Sequence, residues 1–117
     1  MANSKQVNID ALRSIAHGSV SSSYAAVGTA LTVMARLVCF NNATNGDMLI
    51  STDGVNDMLF VAANSFKLFD LTSNRLENDE SFVFIPGTQF FAKQSSSPSS
   101  GSFYIEILYG AQHEKVV

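Results

Sequence analysis

The sequence predicts an all-β protein, an antiparallel β-sandwich (jelly-roll or Greek-key like) with roughly seven to nine short strands. Two observations support this prediction. Apolar runs of about four to eight residues, rich in β-branched and aromatic side chains, recur along the chain. Clusters of Asn, Gly, Ser and Pro separate these runs, and such residues favour turns.

Each apolar run predicts one strand. The runs are "MARLVCFNN", "DMLISTD", "DMLFVAAN", "SFKLFDL", "SFVFI", "QFFAKQ" and "FYIEILYG". We expect "MARLVCFNN" and "FYIEILYG" to be central strands. Upstream, "ALRSI" fits a helical turn or an edge strand, because periodicity does not discriminate over so few residues, and "AHGSVSSS" is predicted to be a loop. The predicted core comprises Leu37, Cys39 or its neighbours Val38 and Phe40, Ile50, Phe84, Phe90, Ile105 and Ile107.

The length of 117 residues predicts a single domain, 1–117, with residues 1–10 as an N-terminal arm and residues 111–117 as a polar C-terminal tail. Charged residues make up only 15%, against a usual share of about 25%, which indicates a surface that is covered by something else.

The net charge of -3 and seven scattered basic residues argue against nucleic-acid binding. No apolar run is long enough to span a membrane, and no secretory signal is visible. The Asn-Ala-Thr sequon at Asn42 is therefore interpreted as a turn.

The stretch "LISTDGVNDMLFV" allows two interpretations, a calcium loop or a β-hairpin. Asp53, Asn56 and Asp57 could offer oxygen ligands, but calcium takes about six to eight, and no closing glutamate follows before Glu77. Asp-Gly between two alternating apolar runs is a strong hairpin signal, because the tight turn needs a positive φ that glycine adopts freely. We therefore predict a hairpin with Gly54 at positive φ and no bound metal.

Candidate catalytic residues are few. His17 lies in the serine-rich loop and His113 in the polar tail, and neither sits in a catalytic motif. Three carboxylates cluster in "LENDES", where so polar a run indicates solvated loop charges. Cys39 lies in an apolar strand, where a buried and unreactive thiol is expected. The sequence thus predicts a protein that is not an enzyme and uses no cofactor.

Two predicted strands carry apolar side chains on both faces, whereas a strand between core and water should alternate. In "SFYIEILY", Tyr104 and Leu108 lie on the second face. In "SFKLFDL", Phe69 and Leu71 lie opposite the face that begins with Phe66. Apolar second faces combined with few charges favour a neighbouring subunit or partner. We therefore predict that Phe69, Leu71, Tyr104 and Leu108 form part of an interface.

The segments "GSVSSSYAAVGTAL", "ARLVCFNNATNGDMLISTDGVND", "FVAANSFKLFDLTSNR", "FIPGTQFFAKQ" and "SSGSFYIEILYG", in this order, resemble a family of small structural proteins encoded by tailed bacteriophages. The similarity runs from about Leu12 to Gly110 and rests on turn signals such as Ser-x-Asp-Gly-Val and on strands such as Gly-Thr-Gln-Phe. It implies a β-sandwich virion component of the head-decoration or head–tail junction type, with no catalytic residues. The tail "AQHEKVV" departs from the family pattern and leaves open whether it makes its own contact.

We therefore expect a non-enzymatic virion structural protein, either a capsid decoration (cement) protein or a head–tail connector (neck) component. The resemblance implies contacts with major capsid or portal and neck proteins, and assembly in symmetric copies as a homo-oligomer. An alternative is a host-recognition module that binds a cell-surface glycan, although Trp is absent and Tyr occurs only three times. A third hypothesis is a small hydrolase built around His17 and its neighbouring serines.

Overall fold

The computed structural model describes residues 5–71 and 84–112. Within these ranges, nine strands form two antiparallel sheets that pack against each other, and the helical content is a three-residue 3-10 turn, His17–Ser19. The predicted all-β sandwich is confirmed. The predicted strand "SFVFI" falls largely on residues 81–83, outside the described residues, as do the carboxylates of "LENDES" and His113.

The strands are β1 (Lys5–Ile9), β2 (Arg13–Ala16), β3 (Ala25–Ala26), β4 (Ala35–Asn42), β5 (Met48–Ser51), β6 (Leu59–Val61), β7 (Ser65–Asp70), β8 (Phe91–Gln94) and β9 (Ser102–Gln112). The larger sheet has the order β1-β9-β4-β7, and β2 also pairs with β9. The smaller sheet has the order β3-β8-β5-β6.

The long strand β9 organises the larger sheet. It pairs with β4 along one edge and with β1 and then β2 along the other. The two strands predicted to be central are therefore central, and "ALRSI" contributes the edge strand β2. Residues 5–9 of the predicted N-terminal arm form β1, and β9 continues through residues 111 and 112 of the predicted tail.

The core lies between the sheets and follows the two-residue alternation of strand side chains. Its fully buried residues come mainly from the inner faces of the strands and include Val38, Phe40, Met48, Ile50, Val61, Phe90, Phe103, Ile105 and Ile107. Burial of each such large apolar side chain contributes about 1.5–3 kcal/mol. The rings of Phe40 and Phe90 pack edge to face with centroids 5.3 Å apart, and Phe84 makes the same contact with Phe90.

The core prediction was wrong at Leu37 of β4, and of the alternatives left open at the next positions, Cys39 or its neighbours, the core contains the neighbours Val38 and Phe40. Val38 and Phe40 have no exposed surface and point inward, so Leu37 and Cys39 point to the opposite face, where both are half-buried. All of these side chains are apolar, so composition alone did not indicate which pair lies inside. The other predicted core residues are buried, except that Phe84 is half-buried and packs against the core.

The predicted hairpin exists, because β5 and β6 pair in antiparallel register from Met48 opposite Val61 to Ile50 opposite Leu59. Gly54 has the predicted positive φ of 74°. The connection differs from the predicted tight turn, since residues 52–58 lie between the two strands. The side chains of this loop form their own hydrogen bonds, and these replace the backbone pairing of a two-residue turn.

Asn42 and Thr44 form a buried polar network where β4 ends. The Asn42 amide donates to the carbonyl oxygens of Gly46 at 2.8 Å and Val61 at 3.0 Å, and its Oδ1 accepts from the Thr44 hydroxyl at 2.6 Å. Both side chains are fully buried. The Asn-Ala-Thr sequence therefore stabilises a turn, as predicted, and its amide is inaccessible in the folded chain.

Arg13 is a buried charge that sequence patterns did not indicate. Only 5% of it is exposed, yet its guanidinium lies 3.0 Å from the carboxylate of Asp10 and donates to the carbonyl oxygen of Thr29 at 2.8 Å. These bonds compensate for the desolvation of the charge. They connect the β1–β2 edge with the loop that follows β3.

Candidate interaction surface

The outer face of the larger sheet is the surface that faces away from the smaller sheet. We use "outer face" for the residues on this side of β7, β4, β9 and β1. Three rows cross it in register, namely Phe66–Asn41–Tyr104, Leu68–Cys39–Glu106 and Asp70–Leu37–Leu108–Ile9. Directly opposite residues lie on the same side of a sheet, so each row forms a continuous strip of side chains.

Large apolar side chains are exposed on this outer face. Phe66 is 64% exposed, Leu68 52% and Ile9 77%, while Leu37 and Leu108 are half-buried between them. Single exposed apolar residues are ordinary on protein surfaces, but a contiguous set spread over several strands is typical of an interaction site. The patch extends along β1 to Val7, which is 68% exposed.

Two of the four predicted interface residues lie on the outer face. Tyr104 and Leu108 alternate with the buried Ile105 and Ile107 and are both half-buried. Whether they contact another protein stays a prediction.

The face assignment was wrong for the other two residues, because β7 is turned the opposite way from our prediction. Phe69 pairs with Val38 and therefore shares its inner face, where its ring packs edge-on against Phe40. Leu71 lines a cavity between the sheets. The exposed apolar residues of this strand are Phe66 and Leu68. Both faces of "SFKLFDL" are apolar, so the orientation depends on its register with β4.

Glu106 is an exposed carboxylate within this apolar surface. Its neighbours on the outer face are Tyr104 and Leu108 along β9 and Cys39 across on β4. None of them carries a cation. The pKa of the Cys39 thiol is raised, first by its partial burial and second by the negative charge of Glu106. A raised pKa keeps this thiol protonated near neutral pH and so lowers its reactivity.

The cavity between the sheets has a volume of about 290 Å³. Aromatic and aliphatic side chains dominate its wall, and Ser51 and Thr52 supply the polar groups. The Ser51 hydroxyl already donates to Asp53 at 2.7 Å. Among residues 5–71 and 84–112, the side chains that line this cavity include no His, Cys, Asp, Glu or Lys, so this part of the wall offers mainly apolar contact.

The loop at residues 52–58 uses its acidic groups internally. Asp53 Oδ1 accepts hydrogen bonds from the Ser51 hydroxyl and from the backbone N–H groups of Val55 and Asn56, at 2.7, 2.8 and 2.9 Å. Its Oδ2 accepts from the Asn56 amide at 2.7 Å. These bonds lower the pKa of Asp53, with the Ser51 bond the largest cause. The carboxylate thus closes the turn.

Asp57 is held by a separate cluster that attaches the loop to the smaller sheet. The Tyr24 hydroxyl donates to its carboxylate at 2.6 Å, and the Lys93 ammonium lies 3.1 Å from the same oxygen. The Lys93 ammonium also lies 4.8 Å from the centre of the Tyr24 ring, within cation–π range. The hydrogen bond from Tyr24 and then the contact with Lys93 lower the pKa of Asp57.

In the part of the chain that the structure describes, no group of three or more His, Cys, Asp and Glu residues is placed to hold a metal ion. The Nδ1 atom of His17 lies 3.1 Å from the carbonyl oxygen of Gly101, so its hydrogen bond joins two loops. Across residues 5–71 and 84–112, no helix has the length and apolarity to cross a membrane.

Comparison with protein-family models, with curated protein sequences and with solved structures found no match to this chain.

Proposed function

We propose that this chain is a non-enzymatic structural component of a tailed-bacteriophage virion, a capsid decoration protein or a head–tail connector component. Repeated copies dock on other virion proteins, such as the major capsid or portal and neck proteins. The observation that carries the proposal is the exposure of Phe66, Leu68 and Ile9. These apolar side chains lie on the outer face and contact solvent in the isolated chain. An apolar area of this kind is stabilised when another protein covers it.

Two features of the sequence support the same function. The charged share of 15% is low for a chain that presents its whole surface to water. The segments from Leu12 to Gly110 resemble those of small phage structural proteins in their turns and strands. A virion protein would be present in many symmetric copies, and each copy would contribute the same face.

Leu68→Asp tests the docking role of the outer face. Leu68 is 52% exposed, so the substitution should change the stability of the isolated chain by about half a kilocalorie per mole or less. At the centre of an interface the same change should cost about 2 kcal/mol or more in binding. Ser22→Asp is the matched control, because it adds the same charge at an exposed loop residue away from the outer face.

The measurement is the amount of each variant in particles purified by density gradient. We expect Ser22→Asp to be incorporated like the wild type and Leu68→Asp to be nearly absent, while both purified proteins melt like the wild type. Equal incorporation of both variants, or absence of the wild-type protein from particles, would contradict the proposal.

The alternative function, a host-recognition module, makes a different prediction. Sugar-binding surfaces use exposed aromatic rings, and the Tyr24 ring is engaged by Lys93 while its hydroxyl is bonded to Asp57. Phe66 is the more accessible aromatic residue. Binding to a cell-surface glycan on an array, abolished by a substitution of Phe66, would favour the alternative.

A further inference from the structure

Glu106 determines what kind of protein surface can cover the outer face. Its carboxylate is exposed, and its nearest outer-face neighbours are Tyr104, Leu108 and Cys39. The described residues form no salt bridge with it. In the isolated chain, water solvates this charge. A docked partner would remove that water, and a desolvated carboxylate without a counter-charge is strongly unfavourable.

We propose that the partner surface is apolar and carries a lysine or arginine that pairs with Glu106. This inference rests on the proposed function, because it assumes that another virion protein covers the outer face. The surrounding Leu68, Leu108 and Tyr104 contact the apolar part of the partner, and the cation compensates for the buried carboxylate. Arginine suits the position particularly well, since its planar guanidinium binds a carboxylate through two parallel hydrogen bonds.

The same charge disfavours a second copy as the occupant. When two copies pack face to face around a two-fold axis at Glu106, the two carboxylates meet, and like charges in a desolvated interface repel. A two-fold contact centred on Glu106 is therefore disfavoured, and we assign this face to a different protein.

Charge substitutions at Glu106 test the pairing. Glu106→Gln removes the charge at nearly constant shape, and Glu106→Lys reverses it. Ser22→Lys is the control, because it changes the net charge by the same amount as Glu106→Gln at an exposed residue away from the outer face. Each purified variant is titrated onto particles from a phage strain in which the gene carries an early stop codon. The readout is the number of bound copies against protein concentration.

The pairing predicts that Glu106→Lys weakens the affinity for the particles about tenfold or more. The affinity of Glu106→Gln should lie between those of the wild type and Glu106→Lys, and the affinity of Ser22→Lys should equal that of the wild type. Raising the salt from about 0.05 to 0.5 M should weaken wild-type binding more than Glu106→Gln binding, because salt screens the charge pair. If Leu68→Asp fails to bind while both Glu106 variants bind normally, the proposed pairing of Glu106 with a cation is wrong. The proposed docking role of the outer face is then retained.

Two other outcomes would overturn the inference. If the wild type does not bind these particles, or Leu68→Asp binds as well as the wild type, the proposed function fails and this inference fails with it. If the wild-type protein dimerises in sedimentation while Leu68→Asp stays monomeric, the outer face pairs with a second copy.

Discussion

The ring of Phe69 packs edge-on against the ring of Phe40, with the centroids 5.8 Å apart and the planes at 75°. Because neighbouring side chains of a strand point to opposite faces, this core contact places Leu68 on the outer face. The exposed apolar outer face thus follows from the way in which the core is packed.

Phe69→Ala and Phe66→Ala should differ in their effect on stability. We expect Phe69→Ala to lower the free energy of unfolding by about 2–4 kcal/mol, because it leaves a void beside Phe40. Phe66→Ala, on the exposed side of the same strand, should change it by about half a kilocalorie or less. Urea denaturation measures both, and similar costs for the two variants would show that the orientation of β7 is wrong.

The sequence predicted the sandwich and its central strands because turn residues and β-branched runs are local signals. It did not predict the face of each strand where both faces are apolar. In "SFKLFDL" the register with β4 places Phe69 inside and Leu68 outside, and in "ARLVCF" the core takes Val38 and leaves Cys39 outside. Orientation in such strands depends on pairing across the sheet, which one sequence does not reveal.

The sequence predicted only part of the candidate site, because only one of its two strands has a clear alternation of inner and outer residues. Tyr104 and Leu108 alternate with Ile105 and Ile107, and this strand has the continuous apolar inner face that makes the assignment possible. The buried Arg13 network was missed, because its carbonyl partner at Thr29 comes from a distant loop. Long-range hydrogen bonds of this kind leave no periodic pattern.

Asn42→Ala should destabilise the protein strongly. The substitution removes the amide that donates to three carbonyl groups, and it removes the Oδ1 that accepts from the backbone N–H and the hydroxyl of Thr44 in a buried site. We expect a loss of about 2–4 kcal/mol in the free energy of unfolding. Asn41→Ala, at the half-buried neighbour on the outer face, is the control and should cost less than about 1 kcal/mol. Equal losses in chemical denaturation would mean that the network contributes little.

Gly54→Val should destabilise the β5–β6 hairpin. Gly54 has a φ of 74°, which a β-branched residue adopts only with strain, and an added Cβ would lie 3.4 Å from the Phe91 ring. We expect a cost of about 1 kcal/mol or more. Gly18→Val is the control, since an added Cβ there meets no atom within 4 Å and its φ is not positive. A thermal melt unchanged by Gly54→Val would contradict the loop geometry.

The hydrogen bonds of Asp53 should make stability depend on pH in the acid range. They lower its pKa in the folded chain below the unfolded value of about 3.9. The stabilisation is therefore complete above about pH 5 and is lost as the pH falls towards the folded-state pKa. The difference in unfolding midpoint between wild type and Asp53→Asn should be constant from about pH 5 to 7 and shrink below about pH 4. A difference that does not change with pH would show that the carboxylate charge is not involved.

A cryo-electron microscopy map of the intact particle tests the central claim most directly, because it shows what covers the outer face. We predict that the sandwich appears in repeated symmetric copies, with Leu68, Leu108 and Glu106 buried against a different virion protein that places a lysine or arginine beside Glu106. A map in which the protein is absent, or in which the outer face is exposed to solvent in every copy, would contradict the account.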